Sequence, residues 1–172
     1  MVAAAPAQIQ APTAPVERAR CHLTSEAIAS FVGETGEFFI LLPEHINLLG
    51  GELSLVLHPS AELWPAVEGI EISVNGRKLP AGAIAKDQST TDATLRARAA
   101  VPEGVLNPSW NRITLQLRLR PAEQSTRKDD RWFIRGPECY LEIAFERMPL
   151  FSELARFRAL ESSSPDPCHR IQ

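Results

Sequence analysis

From Cys21 to Glu146 apolar and polar residues alternate in short runs, and proline or glycine breaks each run. Period-two alternation predicts half-buried strands. "GEFFILLPEH" predicts a strand over Glu37–Leu42 that Pro43 ends. "LLGGELSLVLHPS" sends Leu53, Leu55 and Leu57 to one face and Glu52, Ser54 and Val56 to the other, until Pro59 stops it. Ile70–Val74 and Arg77–Leu79 flank Asn75-Gly76, the dipeptide that supplies positive φ at both centres of a type I′ hairpin turn. "ATLRARAAV" sets Leu95, Ala97, Ala99 and Val101 against Arg96, Arg98 and Ala100. "WNRITLQLRLRP" sets Ile113, Leu115, Leu117 and Leu119 against Thr114, Gln116, Arg118 and Arg120. "RWFIRGPECYLEIAFER" predicts a short strand and then Tyr140–Glu146, with Leu141, Ile143 and Phe145 inward.

Seven or eight short strands with turns between them predict an all-β fold, an antiparallel jelly-roll-like β-sandwich. No helix separates the strands, which excludes a parallel α/β sheet. The period changes once. In "PLFSELARFRALE", Leu150, Leu154, Phe157 and Leu160 share one helical face, which predicts a C-terminal amphipathic helix. The expected organisation is an Ala/Pro-rich disordered leader over 1–20, a sandwich over 21–147, the helix over 148–161 and a flexible tail over 162–172.

Composition narrows the function classes. The chain has 172 residues, 44% hydrophobic and 23% charged, enough for one domain with a sizeable core. A formal net charge of −3 does not favour nucleic acid or an anionic membrane. Cys21, Cys139 and Cys168 show no metal spacing and no even-numbered disulfide framework. No apolar run approaches the roughly 20 residues needed to span a bilayer. The start, "MVAAAPAQIQAPTAPVERAR", lacks a basic region followed by an apolar one. It reads equally as a cytoplasmic beginning or as the cleavage zone of a signal with its upstream part missing.

Catalytic constellations are not evident. There is no G-x-S-x-G, no phosphate-cradling glycine motif and no metal-spaced histidine pair among His22, His45, His58 and His169. His58, before Pro59, is expected at the surface or as a cap. Glu138, Tyr140, Glu142 and Glu146 fall on one side of a strand. Carboxylates four residues apart there stand roughly 13 Å apart, too far for glycoside hydrolysis. Arg96, Arg98, Arg118 and Arg120 would form a basic stripe if they shared a sheet. Trp64 and Trp110 are placed in loops, where tryptophan either stacks on pyranose faces or plugs the sandwich. Trp132 and Phe133 open the penultimate strand.

Several stretches in order resemble the cellulose synthase B subunit, the regulatory subunit. "GELSLVLHPSAELWPAVEGIEISVNGRKLPAGAI" resembles its strand, Ser-Pro-like loop and strand ending in V-x-x-N-G. "VPEGVLNPSWNRITLQLRL" resembles its next loop and N-x-L-x-F-x-F strand, with Asn111 and Ile113 in those places. "RWFIRGPECYLEIAFE" resembles W-x-x-I-x-x-x-S-x-L-x-L through Trp132 and Ile134, and "LFSELARF" resembles the segment that follows. Glu68-Gly69 replaces a serine of the family pattern, Cys139 stands near another, and the Phe-Pro-x-Pro-Phe run is lost after Phe157. The resemblance spans about residues 37–160 and reaches only the first jelly-roll, carbohydrate-binding-like domain of that family.

The resemblance implies a non-catalytic module, periplasmic and associated with the inner membrane. It would bind or guide a nascent glucan and contact the catalytic subunit of a cellulose-type synthase. No cofactor, metal, nucleic acid or transmembrane segment of its own is expected. The candidate carbohydrate-binding residues are Trp64, Trp110, Tyr140 and Glu142. The candidate partner-docking residues are Leu150, Leu154 and Phe157. The alternatives are a structural interaction module without a sugar site and an accessory domain of a glycan-active enzyme.

Overall fold

The computed structural model describes residues 14–80, 84–88, 93–121 and 131–148. These form β1 (Val16–His22), β2 (Ile28–Val32), β3 (Thr35–Leu42), β4 (Ile46–Pro59), β5 (Val67–Val74), β6 (Arg77–Leu79), β7 (Ile84–Gln88), β8 (Ala93–Val101), β9 (Ser109–Leu119), β10 (Arg131–Arg135) and β11 (Tyr140–Arg147). Short 3-10 turns occupy Trp64–Ala66 and Gly136–Glu138. All pairing is antiparallel, in two sheets.

The first sheet is built on β4, whose 14 residues reach past every neighbour. One edge of β4 takes β8, which carries β7 beyond it. The other edge takes β11 along Ile46–Ser54 and β10 along Leu57–Pro59, end to end. β1 then pairs with β11 and β2 with β10. The second sheet runs β3-β9-β5-β6.

The inward faces share one hydrophobic core. Leu53, Leu55 and Leu57, Leu95, and Leu141, Ile143 and Phe145 supply the first sheet. Phe38, Ile40 and Leu42, Ile113, Leu115 and Leu117, and Ile70, Ile72 and Val74 supply the second. The alternation expected of β4, β8, β9 and β11 is therefore what buries them. Asn75 and Gly76 have φ of 53° and 79°, so the β5–β6 hairpin has the turn its dipeptide predicts.

Two glycines make room for β4's neighbours. A Cβ on Gly51 would lie 2.3 Å from the Glu142 carbonyl oxygen. One on Gly50, at φ +110°, would lie 2.6 Å from that of Val101.

The strands not anticipated are β1, β2 and β7. They lie at or near sheet edges, where one-sided exposure weakens the apolar alternation. β1 begins at Val16, so the leader boundary at residue 20 falls inside a strand. The helix over 148–161 and its docking residues Leu150, Leu154 and Phe157 lie outside the described residues beyond Met148.

Candidate functional site

On the outer face of the second sheet, β3 presents Glu37, Phe39 and Leu41. They stand directly opposite Thr114, Arg112 and Trp110 of β9. Alternation dictates this, because Phe38 and Ile40 are buried in the core and their neighbours must face out. Phe39 is 54% exposed and Trp110 43%. They are diagonal neighbours across the strand pair, about 7–8 Å apart along the backbone. Thr114 continues to Ser73 and Gln116 to Glu71 on β5. The face is thus a short aromatic strip flanked by hydroxyl, amide, carboxylate and guanidinium groups.

Trp110 lies within β9 and not in a loop, and a buried amide fixes its place. Asn111 is fully buried. Its Oδ1 accepts from the Asn107 N–H at 2.8 Å and from Asn75 Nδ2 at 2.9 Å. Its Nδ2 donates to the Asn107 and Ser109 carbonyls at 2.8 and 3.1 Å. Ser109 takes φ 98°, a strained value for a residue with a Cβ. The asparagine side chain holds the chain in that conformation immediately before Trp110.

The structure does not bring the four expected sugar-binding residues together. Trp64 is only 8% exposed. Lys86 Nζ covers its ring, 4.8 Å from the centroid, and also donates to the Val67 carbonyl. Trp64 therefore closes the sandwich and leaves no face for a pyranose. Tyr140 and Glu142 lie on the outer face of the first sheet, on the opposite side of the core from Trp110. The Arg20 guanidinium sits 4.6 Å from the Tyr140 ring centroid, and His22 meets that ring edge-on. Glu142 accepts from Arg20 Nε at 3.0 Å and Arg18 Nη1 at 3.2 Å. The Arg20 and Arg18 hydrogen bonds hold its carboxyl below the usual carboxylate range.

Two further expectations are corrected. Arg96 and Arg98 lie on β8 of one sheet, and Arg118 on β9 of the other with Arg120 just beyond it, so they form no common stripe. Arg98 approaches Glu52 at 3.7 Å and Arg120 approaches Glu68 at 3.9 Å, as dispersed pairs. His58 is buried at 2% exposure and does not lie at the surface. Its ring stacks on Phe133 at 4.7 Å, and its Nε2 is 2.9 Å from Glu138 Oε2.

No family model and no curated protein sequence matches this chain. The site therefore stands on its geometry. Among the described residues, no group of three His, Cys, Asp or Glu side chains is placed to hold a metal ion. No helix among them is long and apolar enough to cross a membrane.

Phe39 is the member of the strip that sequence reasoning passed over. Its signal was present in the doublet Phe38-Phe39. Two consecutive aromatics on one strand cannot both enter the core, so one must be offered to solvent or a ligand.

Proposed function

We propose that this chain is a non-catalytic carbohydrate-binding module, a subunit or part of one, in a bacterial complex that makes cellulose or a related exopolysaccharide. The exposed pair Phe39 and Trp110 carries the reading. Two rings on a flat sheet face offer apolar surface to pyranose C–H groups, and the surrounding polar side chains meet the hydroxyls. The strand order supports it, since β1/β2-β11/β10-β4-β8 facing β3-β9-β5-β6 fits the interleaving expected of a jelly roll. In this reading the module holds or guides an emerging glucan and makes or breaks no bond. Its setting is the periplasmic side of the inner membrane, beside a cellulose-type synthase.

Calorimetry with cellohexaose, paired with retention on insoluble cellulose, tests this. Binding by the parent protein with a loss of about tenfold or more in Trp110→Ala or Phe39→Ala is expected, equivalent to about 1.4 kcal/mol. A folded parent protein with no affinity for either glucan overturns the reading in favour of an interaction module without a sugar site.

A further inference from the structure

Among the described residues, one edge of the sandwich is open on both sheets. Among the described residues, β2 pairs only with β10 and β3 only with β9. Each therefore turns about half of its backbone N–H and C=O groups away from its partner. Between the two edges lies a groove of about 640 Å³, lined by residues from Leu23 to Glu26 and from Ala29 to Phe31 and by Glu37, Phe38 and Phe39. Its floor is rigid. Phe31 stacks on Trp132 with centroids 4.5 Å apart and meets Phe38 edge-on at 5.2 Å. Trp132 Nε1 donates to the Gly33 carbonyl at 2.9 Å. Ile28, Val32 and Phe39 are more than half exposed along this edge. An uncovered edge with apolar side chains is a template for another strand.

Charge identifies the occupant. From Cys21 to Gly76 the chain contains no lysine or arginine, while Glu26, Glu34, Glu37 and Glu44 follow the edge. None of the ion pairs among the described residues uses Glu26, Glu34 or Glu37. The cations on paired strands are Arg112, opposite Phe39, and Arg131 and Arg135, opposite Val32 and Ile28; Arg135 approaches Glu138 at 3.8 Å, and none of the three lines the groove. A second copy docked edge to edge would gather the same glutamates along one seam, which disfavours self-association.

We propose that the open β3 edge and its groove receive an extended, basic segment of a partner protein by strand addition. The segment places apolar side chains toward Phe31 and Phe38 and lysine or arginine beside Glu26 and Glu37. Backbone hydrogen bonds supply affinity and alternate side chains supply specificity. This inference does not rest on glycan binding, although the groove shares Glu37 and Phe39 with the aromatic strip.

The test uses the full chain and a capped peptide of lysine alternating with valine and threonine, matched to the length of β3. Hydrogen exchange of the complex should show new protection over Thr35–Leu42. Glu26→Lys with Glu37→Lys should weaken binding at least tenfold, and added salt should weaken it too. A probe N-methylated at alternate amides should not bind, and Trp110→Ala should bind normally. The proposal is overturned by absent protection, indifference to the charge reversal, or equal binding of the N-methylated probe or of a glutamate-for-lysine probe. Protection of the same amides by the protein's own dimerisation also overturns it.

Discussion

The thiol of Cys139 satisfies both backbone groups of Val56: Sγ accepts from the Val56 N–H at 3.2 Å and donates to the Val56 carbonyl at 3.3 Å. β11 stops pairing with β4 at Ser54 and β10 begins at Leu57. Val56 falls opposite the break, and a side chain takes the role of the absent strand. Leaving such groups unmet costs about 1–3 kcal/mol each, so Cys139→Ala should lose about 2 kcal/mol or more in urea unfolding. Cys139→Ser should lose less, because a hydroxyl can both accept and donate.

The same burial gives Cys139 a pH dependence. Desolvation pushes the thiol from its ordinary value of 9.0 up to about 11. The unfolded thiol therefore ionises first, and the stability carried by the neutral form, full below pH 9.0, is lost as pH rises to about 11. Denaturation midpoints across this window should fall more steeply for the parent than for Cys139→Ser. At neutral pH a thiol-reactive dye should label Cys139 only as fast as the protein opens.

Asn75 and Asn111 are coupled through one amide network. Asn75 forms the hairpin turn, yet its Oδ1 also accepts from the Arg112 N–H and its Nδ2 donates to the Val105 carbonyl, each at 2.9 Å. Asn75→Gly keeps the positive φ and loses only these bonds and the one from Nδ2 to Asn111 Oδ1, so a loss of about 1–3 kcal/mol in thermal unfolding is expected. Asn111→Asp replaces buried donors with a carboxylate and should cost about 3 kcal/mol or more. Equal stability of Asn111→Asp and the parent would show that the network does not hold the loop.

Glu142 is clamped by Arg18 and Arg20, and Glu17 is lowered by its hydrogen bond to Arg147. Their folded values lie below the ordinary carboxylate value, so each contributes above that value. The contribution is lost as pH falls through the folded one. Glu142→Gln combined with Glu17→Gln should flatten the acid limb of the stability profile. The difference should shrink at high salt, because these pairs face solvent.

Trp64 and Trp110 should respond oppositely to truncation. Trp64→Ala empties a covered site and should destabilise by about 3–5 kcal/mol in chemical denaturation. Trp110→Ala should leave the unfolding midpoint within about 0.5 kcal/mol of the parent. The latter should act on glucan retention alone.

The alternation in β4, β8, β9 and β11 and the Asn75-Gly76 turn were legible because each is local. A strand's inward face is written every second residue, and a type I′ turn needs only its own two residues. The edges β1, β2 and β7 were less legible because an edge strand is half exposed and need not keep a clean apolar face. The placement of single side chains depends on contacts distant in sequence. Lys86 covers Trp64, Glu138 reaches His58, and Arg18 and Arg20 occupy Glu142 from the other end of the described chain. By itself the sequence determined an all-β chain of two-faced strands and the register of its hairpin. Only the tertiary structure decided that Trp110 and Phe39 share an open face while Trp64, Tyr140 and Glu142 do not. Pairing between remote strands chooses each side chain's neighbours, and those neighbours decide whether an aromatic ring or a carboxylate is left free to bind.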